Sequence, residues 1–437
     1  MTQSAYHDCL ASMFKLQRFG IKLGLDIIGR MLEALGNPQN NFNAIHIAGT
    51  NGKGSVAAML SAIFDEAGLS VGCFTSPHLE RFNERIAVNK IPIEDQAVIQ
   101  AYQRVKAIKG LSRSATFFEF ATAMAFNEFS RRGVQWAIVE TGMGGRLDAT
   151  NILQPVLSII TNISMEHQTY LGSTLHAIAG EKAGIIKNGI PVVTGVRQAA
   201  AIKAIETKAR GENAPLYRYG QAFRSRKSST PSCFSYRGIK HDWPHLELSL
   251  TGDHQVQNAA LVLAACEILN QSGHIALSED IIRRGLAHTQ WPGRLEVVST
   301  EPVIILDGAH NQMSARILGR HLATHYKERN IILVVGILDD KPYRSILKDL
   351  TAPCAKVIIT QPQINRALAA EKLAAIVNEM GIQGQAIPRV ADAVKHAIAI
   401  CEPDDIICIA GSLYVVGEAR TALADLGLVK TPDAASK

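Results

Sequence analysis

The segment 48–55, with the sequence AGTNGKGS, places three glycines, a lysine and a hydroxyl side chain close together. It follows the apolar run 44–47 and leads into the helical pattern 56–67. Glycines allow backbone N–H groups to turn inward, a helix N-terminus attracts anions, and Lys53 is long enough to reach terminal phosphates. This order of strand, glycine loop and helix predicts a nucleotide triphosphate site. A plain glycine turn is the alternative, because the spacing differs from the common GxxxxGK[ST] loop.

Acidic and imidazole side chains follow two further apolar runs. Glu140 ends the run 136–140, and Glu166 and His167 come shortly after the run 156–160. The carboxyl ends of parallel strands face the crevice in which α/β proteins bind ligands. Mg²⁺ prefers a few hard oxygens together with phosphate and water, and a neutral imidazole ligates divalent metals. The pattern therefore predicts a metal site, although a lone histidine in such a place is more often a hydrogen-bonded structural residue.

Three more segments carry polar residues that could take part in chemistry. Ser76 lies in TSPHL, which starts from a strand and is committed to a loop by its proline, so we expect it over the same crevice. Arg146 and Asp148 lie in the glycine-rich TGMGGRLDATN and offer a charge pair, which could also only close a turn. Lys182 in AGEKAGIIK is expected at the start of a short helix or turn, where pairing with Glu181 in solvent is the alternative.

Two polar residues stand out in the second half of the chain. Asp307 in LDGAHN is expected at the end of a strand, where it could bind ribose hydroxyls. Arg294 in WPGR follows a segment that ends a helix and contains Pro and Gly, which is typical of a linker. From that position Arg294 could move onto a phosphate as two domains close. We expect a phosphate-loop domain at 1–288, a linker at 289–295 and a smaller α/β domain at 296–437.

The elements that must position these residues alternate along the chain as short Val/Ile/Leu-rich runs and helical patterns, which is typical of α/β proteins with parallel sheets covered on both faces. The segment 212–251 is polar and ends in the alternating HLELSL, and it predicts an antiparallel elaboration at the sheet edge. Helices are predicted at 256–271 and after the Ser cap in 278–280. The predicted buried strands are 44–48, 71–74, 136–140, 156–160, 190–194, 303–307, 331–335, 356–360 and 405–410.

Length and composition restrict the class of protein. The 437 residues exceed what one core usually serves, and 47% apolar with 19% charged residues argues against disorder. The net charge of +6 is spread along the chain, so we expect no nucleic-acid partner. No apolar run reaches the roughly 18 residues that cross a bilayer, and the N-terminal segment lacks a secretory pattern, which predicts a cytoplasmic protein without a membrane partner. The seven cysteines have no metal-binding spacing and are expected to be reduced core residues.

Taken together, eight segments occur in the order found in folylpolyglutamate synthases: GTNGKGS, TSPHL, ETGMGGRLDATN, EKAGI, GDHQVQNAA, WPGR, LDGAHN and GSLYVVGE. From about residue 20 to residue 420 the chain resembles the bacterial bifunctional dihydrofolate synthases/folylpolyglutamate synthases, which belong with the Mur ligases. The resemblance implies an N-terminal P-loop ATPase domain with a mostly parallel sheet and a smaller Rossmann-like C-terminal domain. It also implies a monomeric ATP-dependent ligase of folate biosynthesis and one-carbon metabolism, which joins L-glutamate to dihydropteroate and to reduced folates through an acyl phosphate.

The resemblance also implies roles for individual residues. The phosphates would be bound by Asn51, Gly52, Lys53, Gly54 and Ser55, and the rest of the nucleotide by Asn258, Arg294 and Asp307. Mg²⁺ would be ligated by Ser76, Glu140 and His167. Lys182 would be carbamylated and would hold a second Mg²⁺, and His310 would lie near the reacting phosphate. The pterin would be held by Leu25, Asp26, Thr116, Phe117, Phe118 and Asp148.

The chain departs from the family pattern at two positions. Glu166 stands where the family commonly has Asp before the metal-binding His, and Asp26-Ile27 stands where Glu-Arg is usual. Three alternatives to the bifunctional ligase remain open: a folylpolyglutamate synthase alone, a Mur-type amino-acid ligase, and a nucleotide-dependent binding protein without ligation chemistry. The GTNGKGS, LDGAHN and GSLYVVGE segments argue against the Mur-type ligase.

Overall fold

The computed structural model describes residues 2–16, 20, 22–230 and 232–429. The chain divides into two compact units. The first comprises Met1–Ser249 and Asp253–Gln290, and the second comprises Leu250–Gly252 and Trp291–Lys437. Among the described helices, none is both long and apolar enough to cross a membrane.

The first unit is built on an eight-stranded sheet with the order β4-β3-β2-β5-β1-β6-β7-β8. All neighbouring pairs from β2 to β8 are parallel, and only β3 and β4 join in antiparallel fashion. The five predicted strands of this unit are confirmed. The strands are β1 (Asn43–Ala48), β2 (Val71–Phe74), β3 (Ile86–Val88), β4 (Ile91–Pro92), β5 (Trp136–Glu140), β6 (Leu157–Ile160), β7 (Val192–Thr194) and β8 (Leu216–Arg218).

Helices pack on this sheet because its central strands are buried along almost their whole length, so each face needs an apolar cover. The predicted helix after the glycine loop and the helix predicted at 256–271 are confirmed. Ser278 caps its helix by accepting from the Ile281 N–H, as predicted. The helices are α1 (Thr2–Lys15), α2 (Asp26–Ala34), α3 (Lys53–Glu66), α4 (Asp95–Lys106), α5 (Phe117–Arg131), α6 (Gln168–Leu171), α7 (Leu175–Ala183), α8 (Ala199–Gly211), α9 (Asp253–Gln271) and α10 (Glu279–Ala287).

The segment 212–251 is only partly as predicted. Its first strand, β8, extends the large sheet in parallel rather than antiparallel fashion. The rest forms a separate three-stranded antiparallel sheet of β9 (Arg224–Lys227), β10 (Cys233–Arg237) and β11 (Asp242–Glu247). The turn between β10 and β11 is held by the buried Glu267 carboxylate of α9, which accepts from three backbone N–H groups of residues 239–241. A tertiary contact of this kind leaves no local sequence signal.

The second unit is a six-stranded sheet with the order β12-β13-β17-β14-β15-β16, in which only β12 is antiparallel. Its four predicted strands are confirmed, whereas the largely polar β12 and β16 at the two edges were not predicted. Its elements are β12 (Glu296–Thr300), β13 (Val303–Leu306), α11 (Gln312–His325), β14 (Ile331–Val335), α12 (Tyr343–Thr351), β15 (Lys356–Gln361), α13 (Ala370–Glu379), β16 (Gly384–Arg389), α14 (Val390–Ala399), β17 (Ile406–Ala410) and α15 (Leu413–Asp425).

The predicted fold class, two α/β units with mostly parallel sheets, is confirmed. In the first unit, the parallel strands place their carboxyl ends on one edge of the sheet. The glycine loop follows β1, which lies between β5 and β6 in the strand order. Side chains that follow these three strands are therefore about 5 to 10 Å apart along the sheet edge.

Candidate active site

The glycine loop joins the end of β1 to the first turn of α3. Gly52 is the residue before α3 and has a φ of 84°, a left-handed conformation that favours glycine. A Cβ atom there would also lie 2.6 Å from Oδ1 of Asn258, so a side chain has no room. Lys53 Nζ donates to the carbonyl oxygens of Gly49 at 3.0 Å and Thr50 at 3.3 Å, which folds the side chain back over the loop. This arrangement presents the positive end of a helix and an ammonium group on the same side.

The loop is held in shape by the residues that directly follow β6. Asn162 accepts from the Asn51 N–H at 3.0 Å and donates to the Asn51 carbonyl at 2.9 Å. Thr161 Oγ1 donates to the same carbonyl at 2.6 Å. These two residues were not predicted from the sequence, although polar residues at a strand end are the signal that identified Glu140.

Helix α9 brings distant residues to the same loop. Gln255 Nε2 donates to Ser55 Oγ at 3.2 Å, and Asn258 Nδ2 donates to Gln255 Oε1 at 2.9 Å. Asn258 is buried and lies against Gly52. The structure therefore places the predicted nucleotide-binding Asn258 beside the predicted phosphate loop, although about 200 residues separate them.

Glu140 lies at the end of β5 and is buried. One of its carboxylate oxygens accepts from the Ser76 N–H at 3.3 Å, and the other lies 3.6 Å from Lys53 Nζ. The structure thus brings together Ser76, Glu140 and Lys53, which come from the ends of three adjacent strands. A buried carboxylate beside a lysine and a hydroxyl residue can bind a cation that also contacts phosphate.

Lys182 is the second-last residue of α7, so the predicted helix start is wrong, whereas its carbonyl accepts from the Ile185 N–H at 3.3 Å and so begins a turn, as predicted. Its side chain is only 2% exposed, and Nζ donates to Glu166 Oε1 at 2.7 Å and to the Gly49 carbonyl at 2.8 Å. The alternative pairing with Glu181 is wrong, because Glu181 pairs with Arg146 at 2.8 Å.

Opposing effects act on the Lys182–Glu166 pair. Burial raises the pKa of the Glu166 carboxyl, but the charge and hydrogen bond of Lys182, together with the charge of Lys53, outweigh burial and lower this pKa to about 2. Burial lowers the pKa of Lys182, and the Glu166 charge opposes that shift. Because Lys182 donates to both Glu166 and the Gly49 carbonyl, it connects the segment after β6 to the phosphate loop.

His167 directly follows Glu166, has a φ of 46° and precedes α6. Among the described residues, no group of three or more His, Cys, Asp or Glu side chains is placed to hold a metal ion. The predicted set for Mg²⁺ contains only two such residues, Glu140 and His167, together with the Ser76 hydroxyl and Lys182. Mg²⁺ usually takes few protein ligands and completes its shell with phosphate and water. The donor chemistry on this sheet edge therefore fits a nucleotide-bound Mg²⁺.

The predicted Arg146–Asp148 charge pair is wrong, because Arg146 pairs with Glu181. Asp148 is buried and accepts from the Met143 N–H at 2.8 Å, the Thr150 N–H at 3.1 Å and the Thr150 hydroxyl at 2.5 Å. Burial raises the pKa of the Asp148 carboxyl, and these hydrogen bonds oppose the shift. Asp148 therefore stabilises the glycine-rich turn after β5 through hydrogen bonds to residues of that turn.

Other residues predicted to hold the pterin lie at the starts of α2 and α5. Thr116 caps α5 in a reciprocal capping box with Glu119. Arg113 donates to both carboxylate oxygens of Glu119, at 2.8 and 2.9 Å, and also interacts with the charge of Asp26 at the start of α2. Leu25 immediately precedes α2 and packs against the core of the first unit. The charge of Arg113 therefore acts on both helix starts, through an ion pair with Glu119 and at longer range on Asp26.

The neighbouring aromatic side chains face two different surroundings. The Phe118 ring lies against the backbone of the turn after β5, since a Cβ atom on Gly142 would be 2.5 Å from it. The Phe117 ring stacks on Phe14 with centroids 5.6 Å apart, and the Arg85 guanidinium lies 5.2 Å from its centroid. Phe118 is therefore the aromatic side chain that contacts the loop carrying Asp148.

In the second unit, the Asp307 carboxylate is buried at the end of β13. It accepts from the Leu295 N–H at 2.8 Å and the Ala309 N–H at 2.9 Å. Burial raises the pKa of Asp307, and the nearby charge of Arg294 opposes the shift. His310 Nδ1 lies 2.8 Å from the Gly308 carbonyl and donates to it. The structure thus brings together the three residues of this unit that were predicted to contact the nucleotide.

Comparison with known proteins agrees with this geometry. The Mur ligase middle domain model matches residues 47–266, and the Mur ligase glutamate ligase domain model matches residues 293–413. The fold, the glycine loop and these matches define a protein of the Mur ligase class.

Individual relatives narrow the class to one family. The chain is 36% identical over 432 residues to the dihydrofolate synthase/folylpolyglutamate synthase of Bacillus subtilis, covering 96% of this chain and 99% of the relative. The structure of E. coli FolC in complex with DHPP and ADP has a TM-score of 0.88 and 28% identity, with 96% and 98% of the two chains covered. The bifunctional Yersinia pestis enzyme complexed with AMPPNP and Mn ion has a TM-score of 0.85 and 30% identity, with 97% and 98% covered. The chain belongs to the dihydrofolate synthase/folylpolyglutamate synthase family, as the eight segments predicted.

Proposed function

We propose that the protein is an ATP-dependent ligase that adds L-glutamate to dihydropteroate and to reduced folates. The observation that carries the proposal is the convergence of the glycine loop, Lys53, Glu140 and Lys182 on one sheet edge, in a chain that belongs to this family. A nucleotide-dependent binding protein has no need for a buried lysine and carboxylates packed around a phosphate loop.

The first step is phosphoryl transfer to the substrate carboxylate. A carboxylate oxygen attacks the γ-phosphorus of ATP, and the bond to the β-γ bridging oxygen breaks, which gives an acyl phosphate and ADP. Such transfers depend mainly on positioning and charge neutralisation. Lys53 and the N–H groups at the start of α3 supply both, because they hold the phosphates in a fixed orientation.

The second step forms the amide. The uncharged amine of L-glutamate attacks the acyl carbon, the bond from that carbon to the phosphate oxygen breaks, and the amine loses a proton as phosphate leaves. Water would hydrolyse the acyl phosphate, so the pocket must be poor in water. Glu140 and Lys182 are buried beside the loop, which supports a reaction site with little solvent.

Ser76, Glu140 and His167 are proposed to hold Mg²⁺. Lys182, as the uncharged amine, is proposed to add to CO₂ and lose a proton, which gives a carbamate that would hold a second Mg²⁺. Bound Mg²⁺ would neutralise charge on the phosphates during transfer. The Mn ion reported with the Yersinia pestis enzyme supports divalent-metal binding. The burial of Lys182 against Gly49 supports a role for it at the loop rather than in solvent.

The acid substrate is proposed to lie against Leu25, Asp26, Thr116, Phe117, Phe118 and Asp148. The complex of E. coli FolC with DHPP and ADP supports small-molecule substrates beside the nucleotide. Asn258, Arg294 and Asp307 are proposed to hold the rest of the nucleotide, and His310 to lie near the reacting phosphate. The contact between Asn258 and the loop at Gly52 supports the first of these roles.

An ADP-release assay tests the proposal. The purified chain is given Mg²⁺, ATP and one acid, either dihydropteroate, tetrahydrofolate or a UDP-muramyl substrate, with and without L-glutamate. We expect ADP release only when L-glutamate accompanies dihydropteroate or tetrahydrofolate. Glutamate-dependent ADP release with tetrahydrofolate but not with dihydropteroate would indicate a folylpolyglutamate synthase. Release only with the UDP-muramyl substrate would indicate a Mur-type ligase. ADP release that is indifferent to glutamate would contradict ligation.

A further inference from the structure

A loop after β7 carries an arginine that the proposed mechanism does not use. The loop comprises residues 195–198 and leads into α8. Gly195 lies against the Thr161 carbonyl, from which a Cβ atom would be only 2.4 Å away. Gln198 Nε2 donates to the Ile163 carbonyl at 2.8 Å. Both ends of the loop are therefore packed on the segment after β6, which carries Glu166 and His167.

The side chain of Arg197 projects from this loop onto the ring of Tyr219. The guanidinium carbon lies 4.6 Å from the ring centroid, within the range of a cation–π interaction. The ring is itself held in place, because its hydroxyl lies 3.0 Å from Ser225 Oγ and Phe223 packs edge-on with centroids 5.7 Å apart. Tyr219 therefore restricts the guanidinium to one region at the carboxyl edge of the sheet.

The charge of Arg197 has no acidic partner among the residues that the structure describes. Within the described part of the chain, no carboxylate forms an ion pair with it, and the residue is exposed. The neighbouring Arg218 is already paired with Glu206. A guanidinium that is held in position and lacks a carboxylate partner is suited to bind an anion through two parallel hydrogen bonds.

We infer that Arg197, positioned by Tyr219, binds an α-carboxylate of a glutamyl unit of the substrates. This inference rests on the proposed ligase function. Strand β7 is two strands from β1, so the loop lies about 10 Å along the sheet edge from the phosphate loop. At that distance Arg197 cannot contact phosphates that are held at Lys53. A glutamyl unit attached at the reacting carbon can extend across the same distance and reach Arg197. The carboxylate belongs either to free L-glutamate or to a glutamate already in the folate chain.

Steady-state kinetics of Arg197→Ala distinguish these sources. Arg210→Ala is the matched control, because it removes the same charge from the exposed far end of α8, about 20 Å away. The KM values are measured for ATP, L-glutamate, and tetrahydrofolate with one or three glutamates. Loss of a partly exposed charge-assisted hydrogen bond should raise the affected KM about three- to tenfold, with little change in kcat.

A higher KM for L-glutamate alone would assign Arg197 to the incoming amino acid, and a higher KM for the longer folate alone would assign it to the existing chain. Tyr219→Leu should reproduce part of the effect, whereas Tyr219→Phe, which keeps the ring, should stay close to wild type. A changed KM for ATP alone, or an Arg197→Ala variant identical to Arg210→Ala, would overturn the inference. Wild-type protein without glutamate-dependent ADP release would instead refute the proposed function.

Discussion

His46 provides a quantitative test of the interior of the first unit. It lies on β1 with a fully buried side chain, and its Nε2 is 2.8 Å from Thr150 Oγ1. The Thr150 hydroxyl donates to the Asp148 carboxylate, so His46 Nε2–H must be the donor to Thr150. His46 Nδ1 then carries no proton, and it has no hydrogen-bond partner among the described residues. Burial, with a smaller contribution from the charge of Lys187, lowers the pKa of His46 from 6.5 to about 3.

The sign and size of the effect on stability follow from this shift. Below about pH 6.5 the unfolded state binds a proton at His46, whereas the folded state does so only near pH 3. The stability that the folded state has with neutral His46 is therefore fully present above pH 6.5, and it is lost progressively as the pH falls from 6.5 towards 3. Well below pH 6.5 each pH unit lowers the free energy of unfolding by about 1.4 kcal/mol, and near pH 6.5 by only about half of that, because half of the unfolded chains then carry the proton. This residue alone should therefore remove about 2 kcal/mol between about pH 6.5 and 4.5.

The variant His46→Gln keeps an N–H donor near Thr150 but cannot be protonated. Urea unfolding of both full-length proteins, followed by circular dichroism from about pH 7.5 to 4.5, gives the difference in unfolding free energy at each pH. We expect this difference to move by about 2 kcal/mol in favour of His46→Gln as the pH falls. Parallel pH profiles for the two proteins would refute a buried neutral His46.

Three further predictions concern the reaction site. Lys53→Ala should lower ligation by more than about 100-fold in kcat, since it removes a fixed charge from the phosphates, and near-normal turnover would contradict the assignment. Glu140→Gln should shift the Mg²⁺ dependence of ADP release to higher concentration, and an unchanged titration would remove Glu140 from the metal site. Lys182→Ala should be inactive but should recover partly with added short carboxylates that replace the carbamate. The intact mass of the active wild-type enzyme shows whether Lys182 is modified, and an unmodified amine there would count against the carbamate.

Much of the site could be predicted because its signals are local. The glycine loop is marked by residue types that only a tight strand-to-helix turn needs, and Glu140 is marked by its position at the end of a buried strand. Parallel topology then places such strand ends on the same edge. Asn258 had no comparable signal, and only the family resemblance identified it, because the contact with Gly52 depends on how α9 packs.

Partner choice could not be predicted, because it depends on tertiary packing. Sequence proximity favoured Arg146 with Asp148 and Lys182 with Glu181. The structure pairs Arg146 with Glu181 and Lys182 with Glu166, because α7 directs Lys182 into the interior beneath the loop while Glu181 stays near the surface. Antiparallel strands were predicted in 212–251, but the separation of β9, β10 and β11 from the large sheet was missed for a similar reason, since the turn between β10 and β11 is held by a buried carboxylate from α9.

The central claim is that ATP activates a substrate carboxylate for amide formation with L-glutamate. Dihydropteroate labelled with ¹⁸O in its carboxylate tests this claim most directly, with the released phosphate analysed by mass spectrometry. Acyl phosphate formation requires one labelled oxygen to leave with phosphate for each glutamyl unit added. Amide product formed without label in the phosphate, or ATP consumption without amide product, would contradict the account.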